Sequence, residues 1–357
     1  MRILFILKER FYSQHKAGSY GLINSAKQVA DFLESIGNEC KIAEVIDSNF
    51  IDKEVFLYKP DLVIIEALWV SGEKMKELIE IKRYKHIKWV VRVHSNVGFL
   101  SAETLALKYI NDYIELKKHN LYIALNNDEM NDHLSDAMNY KFVHLPNIID
   151  IKYINHHKEN KYHMDVGCFG SLRILKNHLF QAVCAMNAAD KIGKKLKFHI
   201  TADVDDDSQV KNPVLKNLME LFKDSKHELV IHSWLDNIAF QHLIREMDIG
   251  MQLSYTESFN IVSADFINNN RLILVSETIE WMPGLLKVST VNYNNVVNKL
   301  IWLYKHKDNF ILKWYSRIKL IMYNAEAKVE WVEFIKRIDN GGYHHHHEHN
   351  NKFIFKY

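Results

Sequence analysis

Cysteine is scarce: Cys40, Cys168 and Cys184 are the three in 357 residues, and their spacing excludes a close-set metal or redox pair. An odd number without motif spacing points to buried thiols in a reducing compartment. Long apolar runs are missing too. None approaches the roughly 20 residues needed to span a bilayer. The apolar start, Met1 to Leu7, runs straight into Lys8, Glu9 and Arg10 without the order of a signal peptide. Neither sign of charge dominates. Net charge is +2; residues 1–150 carry 19 basic and 21 acidic residues, and the remainder 27 and 23. Neither half has the basic excess of a dedicated nucleic-acid binder. The expectation is a cytoplasmic protein with no transmembrane segment.

What is present is the balance of a soluble globular chain, 48% hydrophobic and 25% charged, at a length suited to two domains. Strand-like runs (Arg2 to Lys8, Lys41 to Val45, Asp61 to Ala67, Ile87 to Val93, Leu121 to Leu125, Phe142 to Leu145) are mostly separated by helical stretches. The first of these, Ser19 to Ile36, repeats apolar residues at Leu22, Ala26, Val29, Ala30, Leu33 and Ile36 and ends at Gly37. Such alternation predicts a parallel sheet covered on both faces. Residues 151–162 are polar and read as a linker. The pattern then restarts with strands at Asp165 to Gly170, Lys195 to Thr201, Glu228 to Ile231, Ile249 to Leu253 and Leu272 to Val275. Helices are expected near 176–189, 213–223, 238–247 and 260–268, and from 293 to about Ile338. The fold class predicted is therefore α/β, with two Rossmann-like domains facing across a cleft. Their bounds are 1–150 and 151–325, a helix over 326–340 returns to the first domain, and a His-rich tail follows over 341–357. One large doubly wound sheet is the alternative.

The stretch Ser254 to Ser276, SYTESFNIVSADFINNNRLILVS, carries the chemistry. A strand ends in a loop bearing Glu257, and a helix begins near Phe259 or Asn260. Free backbone N–H groups and the positive helix end then face whatever sits above the strand's C-terminal edge. That is an anion site, and a diphosphate suits it. Glu257 and Asp265 flank it, and carboxylates suit sugar hydroxyls because each accepts several hydrogen bonds. A nucleotide sugar offers a ribose on one side of its diphosphate and a hexose on the other.

Here the sequence resembles the retaining glycosyltransferases of the GT-B fold, particularly glycosyltransferase family 4, whose motif is written like E-x-F-G-x-x-x-x-E. This chain has E-S-F-N-I-V-S-A-D, with Phe259 in register and Asp265 replacing the second Glu. The resemblance implies that Glu257 contacts the donor sugar and Asp265 the ribose, with Ser258, Phe259, Asn260 and Ile261 lining the donor site. Four segments match in order. GSLRILKNHLFQAV (170–183) places Lys176 and Arg173 against the diphosphate, Ser171 standing where Arg is usual. LPNIID (145–150) resembles the domain-boundary P-N-G-V-D. VVRVHS (90–95) places His94 in the cleft, facing the donor sugar. Ile231 to Glu257 resembles the stretch that carries the base-binding loop. In residues 1–36 a loop with Gly18 and Gly21 is the acceptor-side candidate.

The resemblance implies hexosyl transfer with retention from a nucleotide diphosphate sugar, UDP-linked by analogy, by front-face attack without a covalent enzyme nucleophile. No metal cofactor is expected. Asp203-Val204-Asp205 has the D-x-D form of metal-dependent enzymes but reads as a solvated loop. The run His344 to His347, Glu348 and His349 reads as a disordered tail or an expression remnant rather than a fixed metal site. A glycan or small-molecule acceptor is favoured. A modified base in DNA is the alternative, raised by the basic residues Lys82, Arg83, Lys85, His86 and Lys88 and by Lys8, Arg10, His15 and Lys16. Two rival readings share the fold: a nucleotide-sugar 2-epimerase and a non-catalytic binding protein.

Overall fold

The structure, a computed structural model, describes residues 1–9, 20–156, 158, 162–205, 207 and 211–341. The first unit alternates β1 (Arg2–Lys8), α1 (Tyr20–Ser35), β2 (Glu39–Val45), α2 (Ile51–Tyr58), β3 (Leu62–Glu66), α3 (Gly72–Glu80) and β4 (Lys88–Val93). It continues with α4 (Val97–Leu100), α5 (Ala106–Glu115), β5 (Leu121–Leu125), α6 (Asp128–Met138) and β6 (Val143–His144). β3 and β5 are buried at every residue, so their uninterrupted apolar runs need cover on both faces. The six strands pair in parallel in the order β2-β1-β3-β4-β5-β6. Polar side chains set the helix starts: Ser71 Oγ accepts from the Lys74 amide at 3.1 Å, and Asn127 Oδ1 from that of Met130 at 2.9 Å. α1 ends before Gly37, whose φ of 101° is one that other side chains rarely adopt.

The second unit comprises β7 (His163–Gly167), α7 (His178–Ile192), β8 (Lys195–Thr201), α8 (Pro213–Phe222), β9 (Glu228–His232), α9 (Asn237–Arg245) and β10 (Ile249–Gln252). Then come α10 (Ile261–Asn268), β11 (Ile273–Ser276), β12 (Lys287–Val288), α11 (Tyr293–Lys305) and α12 (Phe310–Asp339). Its parallel sheet has the order β12-β11-β10-β7-β8-β9. Two six-stranded parallel sheets with covering helices are the α/β arrangement that the alternation predicts, and one continuous sheet is excluded.

One expectation needs correction. The helical stretch from 293 is not continuous: α11 stops at Lys305, and Asn309 starts a new helix by accepting from the Leu312 amide at 3.0 Å. Residues 151–156 and 158 carry no helix or strand between the two sheets, as a linker would, and polar contacts hold them in place. The Lys152 amide donates to Asn268 Oδ1 (3.1 Å), the His156 carbonyl accepts from Arg271, and Lys158 Nζ reaches Asp165 and Asp248 at 2.8 Å each.

α12 joins the two cores. Leu312 and Leu320 pack in the C-terminal core, whereas Ala327, Trp331, Phe334, Ile335 and Ile338 pack with Ile3, Phe5 and Leu33 on the N-terminal sheet. Trp331 is fully buried, and its indole N–H donates to the Pro146 carbonyl at 2.8 Å. Cys168 and Cys184 are buried and Cys40 half-buried, and burial pushes the thiols of Cys40 and Cys184 up to about 12. Trp331→Ala should destabilise the protein by about 3–5 kcal/mol, read as a lower denaturant midpoint; an unchanged midpoint would show that α12 does not hold the N-terminal core.

Candidate active site

In each sheet there is one place where the connections from neighbouring strands run off in opposite directions, leaving a crevice beyond the strands' carboxyl ends. In the second sheet it lies between β7 and β10, and in the first between β1 and β3. The two crevices open into a single cavity of about 670 Å³, lined by Lys8, Glu66, Gly170 and Glu257 at the ends of those strands. His94 after β4 and Asn126 after β5 close it from the first unit.

Glu257 follows β10 and is 5% exposed. Its Oε1 accepts from Lys176 Nζ at 2.6 Å and from Ser254 Oγ at 2.7 Å. Lys176 closes a single 3-10 turn after β7, and its carbonyl is held by Gln181 Nε2 at 2.8 Å. Thus the acid assigned to the sugar and the cation assigned to the diphosphate form one charge-assisted pair. Arg173 is exposed at the rim of the same cavity.

The motif helix α10 begins at Ile261, one residue later than expected, and Asn260 is its N-cap. Asn260 has φ 62°, a left-handed conformation that Asn tolerates better than most residues. Its side chain accepts from the Ser263 amide (2.8 Å) and donates to Gln252 Oε1 (2.8 Å). Ile261 and Val262, the first two helical residues, line the cavity, where amides have no partner within a helix. Ser258 and Phe259 also reach the lining, but the Phe259 ring is buried in a stack with Trp281 and Tyr323. Asp265 lines the cavity as well. Burial pushes its carboxyl up to about 7, against the opposing pull of the Gln241 hydrogen bond and Lys152.

On the facing side, Arg92 has no exposed surface. It donates to Glu66 (3.0 Å), the Leu145 carbonyl (3.0 Å) and Asn147 Oδ1 (2.7 Å), with its guanidinium 5.2 Å from the Trp331 ring centre. His94 Nε2 makes a short hydrogen bond to the other oxygen of Glu66. Burial alone would raise Glu66, but Arg92 and His94 outweigh it and hold the carboxyl below its usual range. Burial lowers His94 despite Glu66, so the ring is neutral near pH 7. An ionised Glu66 only accepts, so Nε2 carries the proton and Nδ1 is left as an acceptor. Sequence reasoning missed Glu66; its signal is a charge closing the otherwise apolar run Leu62–Glu66.

The two units touch beside Glu257. Asn96 Nδ2 donates to the Glu257 carbonyl (2.8 Å), Ser258 Oγ to the His94 carbonyl (2.8 Å), and Asn126 Nδ2 to Ser258 Oγ (3.2 Å). A Cβ on Gly98 would lie 2.8 Å from Thr256, so a larger residue there would force the loops apart. Gly21 lines the cavity at the start of α1, whereas Gly18, Arg10, His15 and Lys16 lie outside the described residues. In the D-x-D segment Asp203 is buried rather than solvated, and its Oδ1 accepts from the Asp205 amide at 3.0 Å. Of the Lys82–Lys88 run, Arg83 pairs with Asp52 at 3.2 Å.

No family model and no curated protein matches the sequence, but solved structures match its fold. A sucrose-phosphate synthase from Thermosynechococcus elongatus superposes with a TM-score of 0.70 at 11% identity, over 96% of this chain and 100% of that one. The chain has the GT-B fold. An alpha-glucosyltransferase solved with UDP and a 13-mer DNA containing a HMU base matches at 0.65 and 13% identity, over 95% and 99% of the two chains. A glycosyltransferase from Rickettsia africae matches at 0.64 and 13%, over 96% and 99%.

Two measurements probe the site's electrostatics. Asp265 releases its proton near 3.8 in an unfolded chain and near 7 in the fold. Its stabilising contribution is therefore fully present below about pH 4 and lost as pH rises through 7. Relative to Asp265→Asn, the wild type should lose stability across that window; parallel pH profiles would refute the shift. Glu66→Ala leaves Arg92 buried without its carboxylate and should cost about 3–5 kcal/mol, measured by denaturant unfolding; a loss under 1 kcal/mol would mean that Arg92 finds another partner.

Proposed function

We propose that this chain is a retaining glycosyltransferase that takes a hexose from a nucleotide diphosphate sugar, UDP-linked, with the donor on the 151–325 unit and the acceptor on the 1–150 unit. The observation that carries the reading is the Lys176–Glu257 pair at the start of α10, at the switch point between β7 and β10. A diphosphate at the α10 start draws Lys176 toward its oxygens. Glu257 is then released to accept from the sugar's hydroxyls, so donor binding itself completes the sugar subsite. Lys176, Arg173 and the first amides of α10 stabilise the charge that develops on the departing diphosphate. Asp265, farther along α10, takes the ribose hydroxyls. His94, neutral and held by Glu66, offers Nδ1 to the hexose and orients it against the acceptor.

Retention is supported by the fold's likeness to trehalose-6-phosphate synthase, whose glycosyl transfer proceeds with retention. The UDP reading is supported by the UDP-bound alpha-glucosyltransferase that shares the fold. The acceptor is a glycan or small molecule entering between Gly21 and Trp69, which line the first-unit side of the cavity. That neighbour's DNA keeps a modified base as the second reading, and the −2 balance of residues 1–150 weighs against it. Basic side chains and the helix start take the place of a metal, so turnover should persist in excess chelator.

The pair separates two effects of mutation. Lys176→Ala should weaken UDP by roughly 10- to 150-fold, the equivalent of about 1.5–3 kcal/mol, while uridine binding scarcely changes; equal losses for both in calorimetry would remove the phosphate role. Glu257→Ala should lower turnover over the same range without weakening UDP, because Lys176 is then unpaired. Wild-type turnover in that variant would overturn the donor-site assignment.

A further inference from the structure

α12 carries apolar residues where a helix on a protein surface ordinarily carries polar ones. In its first half Leu312, Ser316 and Leu320 are buried toward the C-terminal core. At roughly 100° per residue, the opposite side is formed by Phe310, Ile311, Trp314, Ile321, Met322 and Val329. Phe310 is 75% exposed, Ile311 69%, Val329 56%, and Trp314 and Met322 54% each. The 20 residues from Phe310 to Val329 span about 28 Å of helix at 1.5 Å per step. Apolar surface this continuous marks a face that meets something less polar than water.

The charges around the stripe select the partner. Residues 310–329 contain four basic residues, Lys313, Arg317, Lys319 and Lys328, against one acid, Glu326, two turns beyond Lys319 on the same border. On the helix wheel Arg317 and Lys319 fall on opposite borders of the stripe. Arg317 lies 4.8 Å over the ring of the exposed Tyr153, and Lys319 5.7 Å from that of Tyr315. Bulky apolar residues bordered on both sides by long cationic ones fit an anionic lipid surface. The apolar side chains enter the headgroup–acyl boundary while the cations stay at the phosphates. A second copy docking stripe to stripe would bring together two segments that each carry a net charge of +3, and be repelled. We propose that α12 rests on an anionic membrane surface through this face. It lies on the bilayer rather than in it, since no described helix is long and apolar enough to cross one. The proposal depends on α12 alone, so failure of the donor assignment would leave it untouched.

Co-sedimentation of the full chain with phosphatidylcholine vesicles, with and without phosphatidylglycerol, tests it. Binding should require the anionic lipid and weaken with salt. Ile311→Ser combined with Trp314→Ser should reduce it at least about tenfold. Replacing Arg317 and Lys319 by Gln should reduce it about 25-fold, at about fivefold per charge. An unchanged melting temperature in both variants excludes misfolding as the cause. Absence of binding to anionic vesicles at low salt would overturn the proposal. So would a concentration-dependent dimer that the stripe variant disperses without any vesicle binding, or tighter capture of duplex DNA than of vesicles.

Discussion

Arg92 holds a full positive charge with no exposed surface, and much of the first unit's active face is arranged around satisfying it. A buried guanidinium is tolerable only when its donors are filled. Here they are filled by Glu66 from β3, the Leu145 carbonyl, and Asn147 from the segment that leaves the first sheet for the second. The Trp331 ring lies 5.2 Å away and brings α12 back onto the same point, and its indole donates to Pro146. One charge therefore fixes the end of β3, the end of β4, the crossing at 145–147 and the returning helix. His94 takes its place from the carboxylate that Arg92 keeps ionised.

This dependence explains why a polar network sits where hydrophobic packing would be simpler. Packing alone would hold β3 beside β4, but it would not choose the protonation state of His94. A neutral Glu66 could donate to the ring and leave the tautomer open. With Arg92 beside it, Glu66 is an acceptor only, and the imidazole keeps Nδ1 as an acceptor. Across the cleft the Lys176–Glu257 pair has a related logic. Each member balances a charge that would otherwise be costly in a half-buried cavity, and a ligand that supplies both a diphosphate and hydroxyls can replace both partners at once. A ligand supplying only one would leave the other charge unmatched.

The repeating strand–helix pattern made both sheets legible, because fully buried parallel strands leave uninterrupted apolar runs such as Leu62 to Ile65 and Leu121 to Leu125. Glu257, Lys176 and Asp265 stood out through the stretches E-S-F-N-I-V-S-A-D and G-S-L-R-I-L-K-N, and the structure brings all three to one cavity. The rest escaped for physical reasons. Asn260 stands where the motif has Gly, and its left-handed φ explains how Asn serves there. Asp203 looked solvated among its acidic neighbours, yet its side chain folds back onto its own turn. Glu66 is one residue at the end of a strand, and its meaning depends on Arg92, 26 positions away. The break between α11 and α12 is only four residues, His306 to Asn309, too short to interrupt the apolar pattern on either side.

The same helix that satisfies the first unit also reaches the donor loop. Tyr323 of α12 stacks on Phe259 at 4.9 Å between ring centres, and Trp281 stacks on Phe259 and donates to its carbonyl at 2.8 Å. One residue on, Asn324 Oδ1 accepts from the Ile149 amide at 2.9 Å. Adjacent residues of one rigid helix thus grip the motif loop and the inter-sheet crossing. Both contacts lie on the C-terminal core, so the motif loop and the crossing are tied to one stretch of helix with a fixed rise per residue. Phe259, two residues after Glu257, is thereby held between Tyr323 and Trp281.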